Sequence, residues 1–288
     1  MRENSMRKGV RMDLAEVLEN IAKKVPTDDD VYIGEDGLEY CKKCNTARQC
    51  KVELFGEIKT MPCLCKCMSE AREKEDRERK RRERMEQAKR YRSMGFADRD
   101  MQHHTFASDD NANSKIARAM RTYVERFKEF RKDGKGLLLY GPVGTGKSFY
   151  AACICNALID KGYPCLLTNF SRLINTISAM WEGKQEYIDS LSKFALVAID
   201  DLGVERDTGF MNESVTTIID SLYRANVPMI ITSNYTPRQL TDEGDIRRRR
   251  VYDRLLERCV PIEVKGESRR KEKGRKDYKD MMKALGLK

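Results

Sequence analysis

The octapeptide Gly141-Pro142-Val143-Gly144-Thr145-Gly146-Lys147-Ser148 follows directly on the apolar run Gly136-Leu-Leu-Leu-Tyr140. A glycine-rich turn between a strand and a helix lets the backbone curl until its N–H groups face a phosphate chain. In such a turn Lys147 neutralises charge on the β- and γ-phosphates, and the Ser148 hydroxyl ligates Mg²⁺. The chemistry is that of an ATP and Mg²⁺ site. Further on, the apolar run Phe194-Ala-Leu-Val-Ala-Ile199 ends in Asp200-Asp201. Ligands of parallel sheets gather at the carboxyl edge of the strands, where such acids would sit. Asp200 then belongs to the Mg²⁺ shell, and Asp201 orients or polarises an attacking water. The next apolar run, Pro228-Met-Ile-Ile-Thr-Ser233, ends at Asn234. Its amide either reaches the γ-phosphate or the water, or simply starts a turn before Pro237. The run Arg247–Arg250, followed by Val-Tyr-Asp-Arg254, reads as a solvated helix face, a nucleic-acid patch or a donor of arginine fingers. Its place after that strand favours the finger.

Short apolar strands alternating with helices must position these groups. Strands are expected at 136–140, 164–168, 194–199, 228–233 and 260–264, and helices at 148–161, 171–182, 212–225 and 247–258. That order predicts an α/β fold, a parallel sheet covered by helices on both faces. Upstream, Leu14, Val17, Leu18, Ile21, Ala22 and Val25 form the stripe of an amphipathic helix over 13–25, with Asp13 as N-cap and Pro26 as stop. Residues 69–84 are almost all charged, so they form a solvated helix held by i,i+4 pairs, or a tether. The expected organisation is an N-terminal module (1–68), a charged helical linker (69–100) and an ATPase domain (101–288).

The 288 residues carry a formal net charge of +10 and a pI near 9.0, which favours a polyanionic partner. No run approaches the roughly 18 apolar residues of a membrane span, and the N-terminal charges precede no apolar core. A cytoplasmic location is expected. Of the ten cysteines, Cys153, Cys155, Cys165 and Cys259 fall in apolar runs and read as buried thiols. The remaining six lie in 41–67. Cys41-x2-Cys44 and Cys63-x-Cys65-x-Cys67 supply the two close pairs that a structural Zn²⁺ needs to fold a segment lacking a core.

The order of the P-loop, "AIDDLG", "ITSN", "RVYDRLLERC" and "GESRR" resembles AAA+ ATPases of the DnaC/DnaI helicase-loader and IstB group, over roughly 101–270. The resemblance implies an AAA+ core from a phage or a bacterium. It implies that Arg250 is a finger offered to a neighbouring subunit's ATP, with Arg254 a second basic residue near that interface. It also implies that Arg270 is the sensor 2 residue touching its own nucleotide. Here Arg269 stands where the family usually has Tyr, so Arg269 competes for that role. The Asp-Asp pair, as in several loaders, implies slow hydrolysis suited to a timer. The short tail after Arg270 agrees with a family lacking an extended lid. Similar loaders end the cysteine segment in a pattern like Cys65-Lys66-Cys67, which selects Cys41, Cys44, Cys65 and Cys67 as zinc ligands, with Cys63 as substitute and Cys50 behind it.

The expected function is ATP-dependent loading of a DnaB-type replicative helicase onto single-stranded DNA, by an oligomer formed on ATP and DNA or on the helicase. The N-terminal helix and cysteine module would grip the helicase. The main alternative is an IstB-like helper of a DNA transposase, a group that usually lacks the cysteine module. A P-loop kinase would need neither Asn234 nor the arginine run. A nucleotide-gated DNA-binding scaffold would show negligible turnover.

Overall fold

In the computed structural model, residues 30–54, 56–203, 209–241 and 246–287 are described. The helix expected at 13–25 lies outside them. The chain divides into two compact units, Met1–Arg82 and Glu83–Lys288.

In the first unit β1 (Val31–Ile33) and β2 (Glu39–Cys41) form one antiparallel hairpin, and β3 (Gln49–Leu54) and β4 (Glu57–Pro62) another. The charged segment resolves as helix rather than tether: α1 runs without a break from Lys66 to Gly95, across the boundary of the units. Glu, Arg and Lys are good helix formers, and Arg77–Glu73 and Arg79–Asp76 pair one turn apart at 3.0 and 2.7 Å. Exposed pairs of this kind contribute only a few tenths of a kcal/mol each, about what a solvated helix needs.

The second unit holds α2 (Lys115–Glu125), α3 (Phe127–Lys132), β5 (Gly136–Tyr140), α4 (Lys147–Asp160), β6 (Cys165–Asn169), α5 (Phe170–Ala179), α6 (Lys184–Ser190), β7 (Leu196–Leu202), α7 (Gly209–Arg224), β8 (Met229–Ser233), α8 (Pro237–Thr241), α9 (Ile246–Arg258), β9 (Cys259–Glu263) and α10 (Arg269–Ala284). The five strands are parallel in the order β6-β7-β8-β5-β9. Side chains of a strand alternate between faces, and the two cores follow that alternation. Leu137, Leu139, Leu196, Ala198 and Ile230 pack under α2 and α4 through Met120, Val124, Ile154 and Leu158. Leu138, Val197, Ile199, Met229 and Ile231 pack under α5, α7 and α9 through Leu173, Ile174, Ile218, Leu222 and Leu255. The sheet is therefore buried on both faces, as its apolar strands require.

The elements differ from the sequence expectation in several ways, and α8 is one of the helices it does not contain. The third strand of the expected set does not stop at Ile199 but continues through the acids to Leu202. The helix after β6 ends at Ala179, three residues short of 182, and α6 was not anticipated. Neither were α2 and α3, or the two hairpins. What reads as a short tail after Arg270 is a helix, capped where the Ser268 side chain accepts from the Lys271 N–H. Among the described residues no helix is long and apolar enough to cross a membrane.

Candidate functional site

The carboxyl ends of β5, β7 and β8 open into one cavity of about 510 Å³. The turn after β5 supplies Val143, Gly144, Gly146, Lys147 and Ser148 to its wall, the end of β7 supplies Asp201, and the residue after β8 is Asn234. Arg269 and Arg270 come in from the start of α10. The motifs read separately along the chain thus meet at one place, at the edge where a parallel sheet binds its ligands.

Lys147 is the centre of this wall. Its buried ammonium donates to the carbonyls of Gly141 (2.9 Å) and Pro142 (2.8 Å) and to Asn234 Oδ1 (2.8 Å). Three donors meet three neutral acceptors. Burial pushes the lysine below its usual value, while Asp201 and Asp200 pull the other way. A phosphate chain would give this cation an anionic partner in place of neutral carbonyls, a stronger bond by charge assistance. The Thr145 hydroxyl braces the turn by donating to the Pro142 carbonyl at 3.0 Å. Gly144 has φ +84 and lies hard against Ser268, and its carbonyl accepts from the Arg269 N–H at 3.0 Å.

The two acids differ. Asp200 Oδ1 accepts from the Thr232 hydroxyl. Asp201 takes a left-handed backbone, φ +59, with its carboxyl in the cavity. Partial burial and the neighbouring Asp200 push the Asp201 carboxyl above its usual value, against the pull of Lys147 and Arg270. A carboxylate short of compensating charge is what a cation at this edge would neutralise, and Ser148 lines the same wall. The Ser148 hydroxyl and the Asp201 carboxylate on this wall are oxygen donors, with the Asp200 carboxylate, one residue before Asp201, outside the lining, and Mg²⁺ prefers oxygen.

The two arginines separate cleanly. Arg269 donates to Asp109 Oδ1 at 3.1 Å and lies over Phe149 and Tyr150, 5.4 and 5.8 Å from the ring centroids. Asp109 has a fully buried side chain and also accepts from the Tyr150 hydroxyl at 3.0 Å. Arg269 is therefore committed to a strut between α10 and the segment before α2. Arg270 has no ion pair among the described residues, and its charge is felt by both Lys147 and Asp201. Arg250 lies within α9, and its side chain is outside what is described. Arg254 pairs with Asp220 of its own chain and covers Tyr223.

The remaining wall comes from residues outside every motif of the sequence. It consists of Met101, His103, His104, Ser108 and Asp110 from the segment before α2, with Phe149 of α4. His104 and Phe149 rings lie 5.2 Å apart. Buried Asn156 holds this segment, donating to the Met101 and His104 carbonyls at 3.0 and 2.9 Å and accepting from Arg92 Nε at 2.9 Å. No periodicity marks such residues, though both histidines of the chain fall here.

In the first unit the thiols of Cys41, Cys44, Cys65 and Cys67 all lie within 4.8 Å of one another. The Cys65–Cys67 and Cys41–Cys67 sulfurs are 3.4 and 3.7 Å apart. Tetrahedral Zn²⁺ with Zn–S near 2.3 Å places its sulfurs about 3.8 Å apart. The thiols are also in electrostatic conflict. Hydrogen bonds led by the Thr46 hydroxyl bring Cys44 down to about 5, and contacts led by Cys65 push Cys67 up to about 12. A divalent cation at their centre resolves that conflict, so the four residues fit Zn²⁺. Cys63 is outside the group, bonding the Ala47 carbonyl at 3.5 Å, with burial and Cys50 raising its pKa.

The family described as IstB-like ATP binding protein matches residues 65–277. The replicative helicase loader DnaI of Bacillus subtilis is 26% identical over 160 residues, 51% of this chain and 51% of that protein. The replicative helicase loader DnaC of Escherichia coli K12 is 26% identical over 141 residues, 47% of this chain and 54% of that protein. The matches span about half the length of these relatives. A crystal structure of DnaI superposes with a TM-score of 0.52 at 25% identity, covering 62% of this chain and 99% of that chain. The second unit is thus an AAA+ fold, a parallel five-stranded sheet between helices.

Proposed function

Because this chain belongs to the IstB-like ATP-binding protein family, we propose that it binds ATP with Mg²⁺ in the cavity after β5 and hydrolyses it to place a DnaB-type replicative helicase on single-stranded DNA. The observation that carries the ATPase reading is the meeting of Lys147, Asp201, Asn234 and Arg270 in one cavity. Gly141 to Ser148 would cradle the phosphates, and Asp200 with Ser148 would hold Mg²⁺, which would supply charge neutralisation at the β- and γ-phosphates. Asp201 orients the attacking water. Asn234, which is bonded to Lys147, would sense the γ-phosphate. Arg270 approaches the same end of the nucleotide from α10, and Arg250 of a neighbouring subunit completes the charge, so the working form is an oligomer.

The four-cysteine cluster supports a loader over a transposase helper. Zinc held by Cys41, Cys44, Cys65 and Cys67 would fold the hairpin unit, whose exposed strands bury little of their own. That unit, with the segment before it, is the proposed helicase grip. Co-purification from cells tests the reading. Tagged protein should retain the replicative helicase in the presence of ATP and release it on Cys41→Ser with Cys44→Ser. Retention of a transposase and no helicase would favour the IstB-type role instead.

A further inference from the structure

The β7–β8 ladder breaks its register at the acids. Ile199 pairs with Ile231 and Leu202 with Ser233, so Asp200 and Asp201 together stand opposite the single residue Thr232. Two residues facing one is a β-bulge, a device that re-aims side chains at functional edges. Its effect on parity is visible in the core. Simple alternation would turn Leu202 to the face of Leu196 and Ala198, yet Leu202 is buried in the cluster of Val197 and Ile199. The extra residue lets β7 bury Leu202 and still deliver two consecutive carboxylates to its end.

Something must hold a bulge whose second residue has a left-handed backbone, φ +59 at a residue that carries a Cβ. The fully buried Thr232 hydroxyl touches both members. It donates to Asp200 Oδ1 and accepts from the Asp201 N–H at 2.9 Å. One proton and one lone pair are thereby used, both on the acids. The next hydroxyl continues the stitch, because Ser233 Oγ donates to the Leu202 carbonyl at 2.8 Å. Side-chain hydroxyls replace the backbone ladder bonds that the bulge disrupts.

We propose that Thr232 is a positioning residue for ATP hydrolysis: its hydroxyl fixes the Asp200 carboxylate at the Mg²⁺ position and sets the Asp201 backbone so that its carboxyl meets the water. Thr232 does not line the cavity and acts only through the two acids. This rests on the ATPase reading above. It also explains why a polar residue directly follows Met229-Ile-Ile at a wholly buried point of the strand, at the cost of burying a hydroxyl.

Thr232→Val keeps the branched shape and removes only the hydroxyl. The full chain should still bind ATP within about twofold of wild type, since the P-loop is intact, while kcat falls at least tenfold and half-maximal Mg²⁺ rises several-fold. Thr232→Ser restores the hydroxyl and should recover kcat to within about threefold, whereas Thr232→Ala should not. Because Ser and Ala both lack the methyl, that pair isolates the hydroxyl even if the Val variant fails to fold. A readout independent of turnover is amide hydrogen exchange of residues 199–203 in nucleotide-free protein, which should quicken in the Val or Ala variant and stay slow in Ser. Hydrolysis at the wild-type rate by the Val or Ala variant, or equal loss in Ser and Ala, overturns the proposal. A wild-type chain that binds ATP and never hydrolyses it would instead overturn the ATPase reading.

Discussion

A methyl group at Gly144 would separate two effects that both follow from left-handed backbone. Gly144 has φ +84, and a Cβ there would lie 2.2 Å from Ser268 Oγ, 3.0 Å from its Cβ and 3.3 Å from its Cα. Gly162, in the turn between α4 and β6, has φ +90 and nothing within 4 Å of the same added atom. Left-handed backbone costs a residue with a Cβ about 1–2 kcal/mol, and each kcal/mol lowers the melting temperature of a domain this size by about 2–4 °C. Gly162→Ala should therefore melt about 2–8 °C lower and bind ATP as wild type does. Gly144→Ala carries the same strain and also drives Ser268 off the P-loop, breaking the Arg269 N–H to Gly144 carbonyl bond and moving Arg270 with it. Its ATP affinity should fall at least tenfold, about 1.4 kcal/mol, measured by titration calorimetry beside thermal melting. Adding Ser268→Gly removes the two nearest clashing atoms at a capping cost of a few tenths of a kcal/mol, and should restore part of the affinity. If Gly144→Ala binds ATP as tightly as Gly162→Ala, or if Ser268→Gly restores nothing, the account of α10 docked on the P-loop is wrong.

Lys147→Ala should lose at least tenfold in ATP affinity by calorimetry; unchanged binding would remove Lys147 from the site. Asp201→Asn should bind ATP and hydrolyse it slowly. It should also melt higher than wild type at pH 7, because the raised Asp201 pKa gives stability that is present below its ordinary value of 3.8 and lost as pH rises through the folded value. The gap should close as the pH falls towards 4, and a constant gap would deny the carboxyl any part in it. Elemental analysis of protein purified under reducing, chelator-free conditions should find about one zinc per chain, lost in the Cys41→Ser, Cys44→Ser double variant and kept in Cys63→Ser. Arg250→Ala protein mixed with Lys147→Ala protein should recover ATPase activity that neither has alone; no recovery would argue against a finger acting between subunits.

The groups proposed to hold the nucleotide, its Mg²⁺ and the attacking water were legible because their spacing carries the chemistry itself, in Gly141–Ser148, Asp200–Asp201 and Asn234. The strands that position them were legible as apolar runs, since a sheet buried on both faces needs nothing else. The bulge at Asp200 was not, because two acids after an apolar run look the same whether a strand ends or turns. The hairpins over 31–62 left no pattern, since their strands bury so little that Ile33 and Ile58 stand 75% and 74% exposed. The wall of Met101 and His104 belongs to irregular backbone held by Asn156, a contact between distant segments that no local periodicity encodes. Helix α2 carries its own stripe, Ile116, Met120, Tyr123 and Val124 behind the Ser114 cap, so it is an element the sequence does encode. What sets Arg269 apart from Arg270 is its pairing with Asp109, whose burial only the fold reveals.

The strand order has a consequence for biogenesis. β5, which leads into the P-loop, pairs with β8 on one edge and β9 on the other, and with neither β6 nor β7. A chain made from its N-terminus, and folding as it emerges, therefore exposes the glycine-rich turn long before either neighbour of its strand exists. One edge of β5 is closed only when residues 229–233 leave the ribosome, and the other only after 259–263. Arg270 arrives later still. Nascent protein must then wait, with an apolar strand open on both edges, in the state most exposed to aggregation. ATP cannot rescue that state by mass action, because binding stabilises only a fold that already has the site. A nucleotide that needs the glycine-rich turn held in its final place can therefore be bound only after the sheet has closed around that turn.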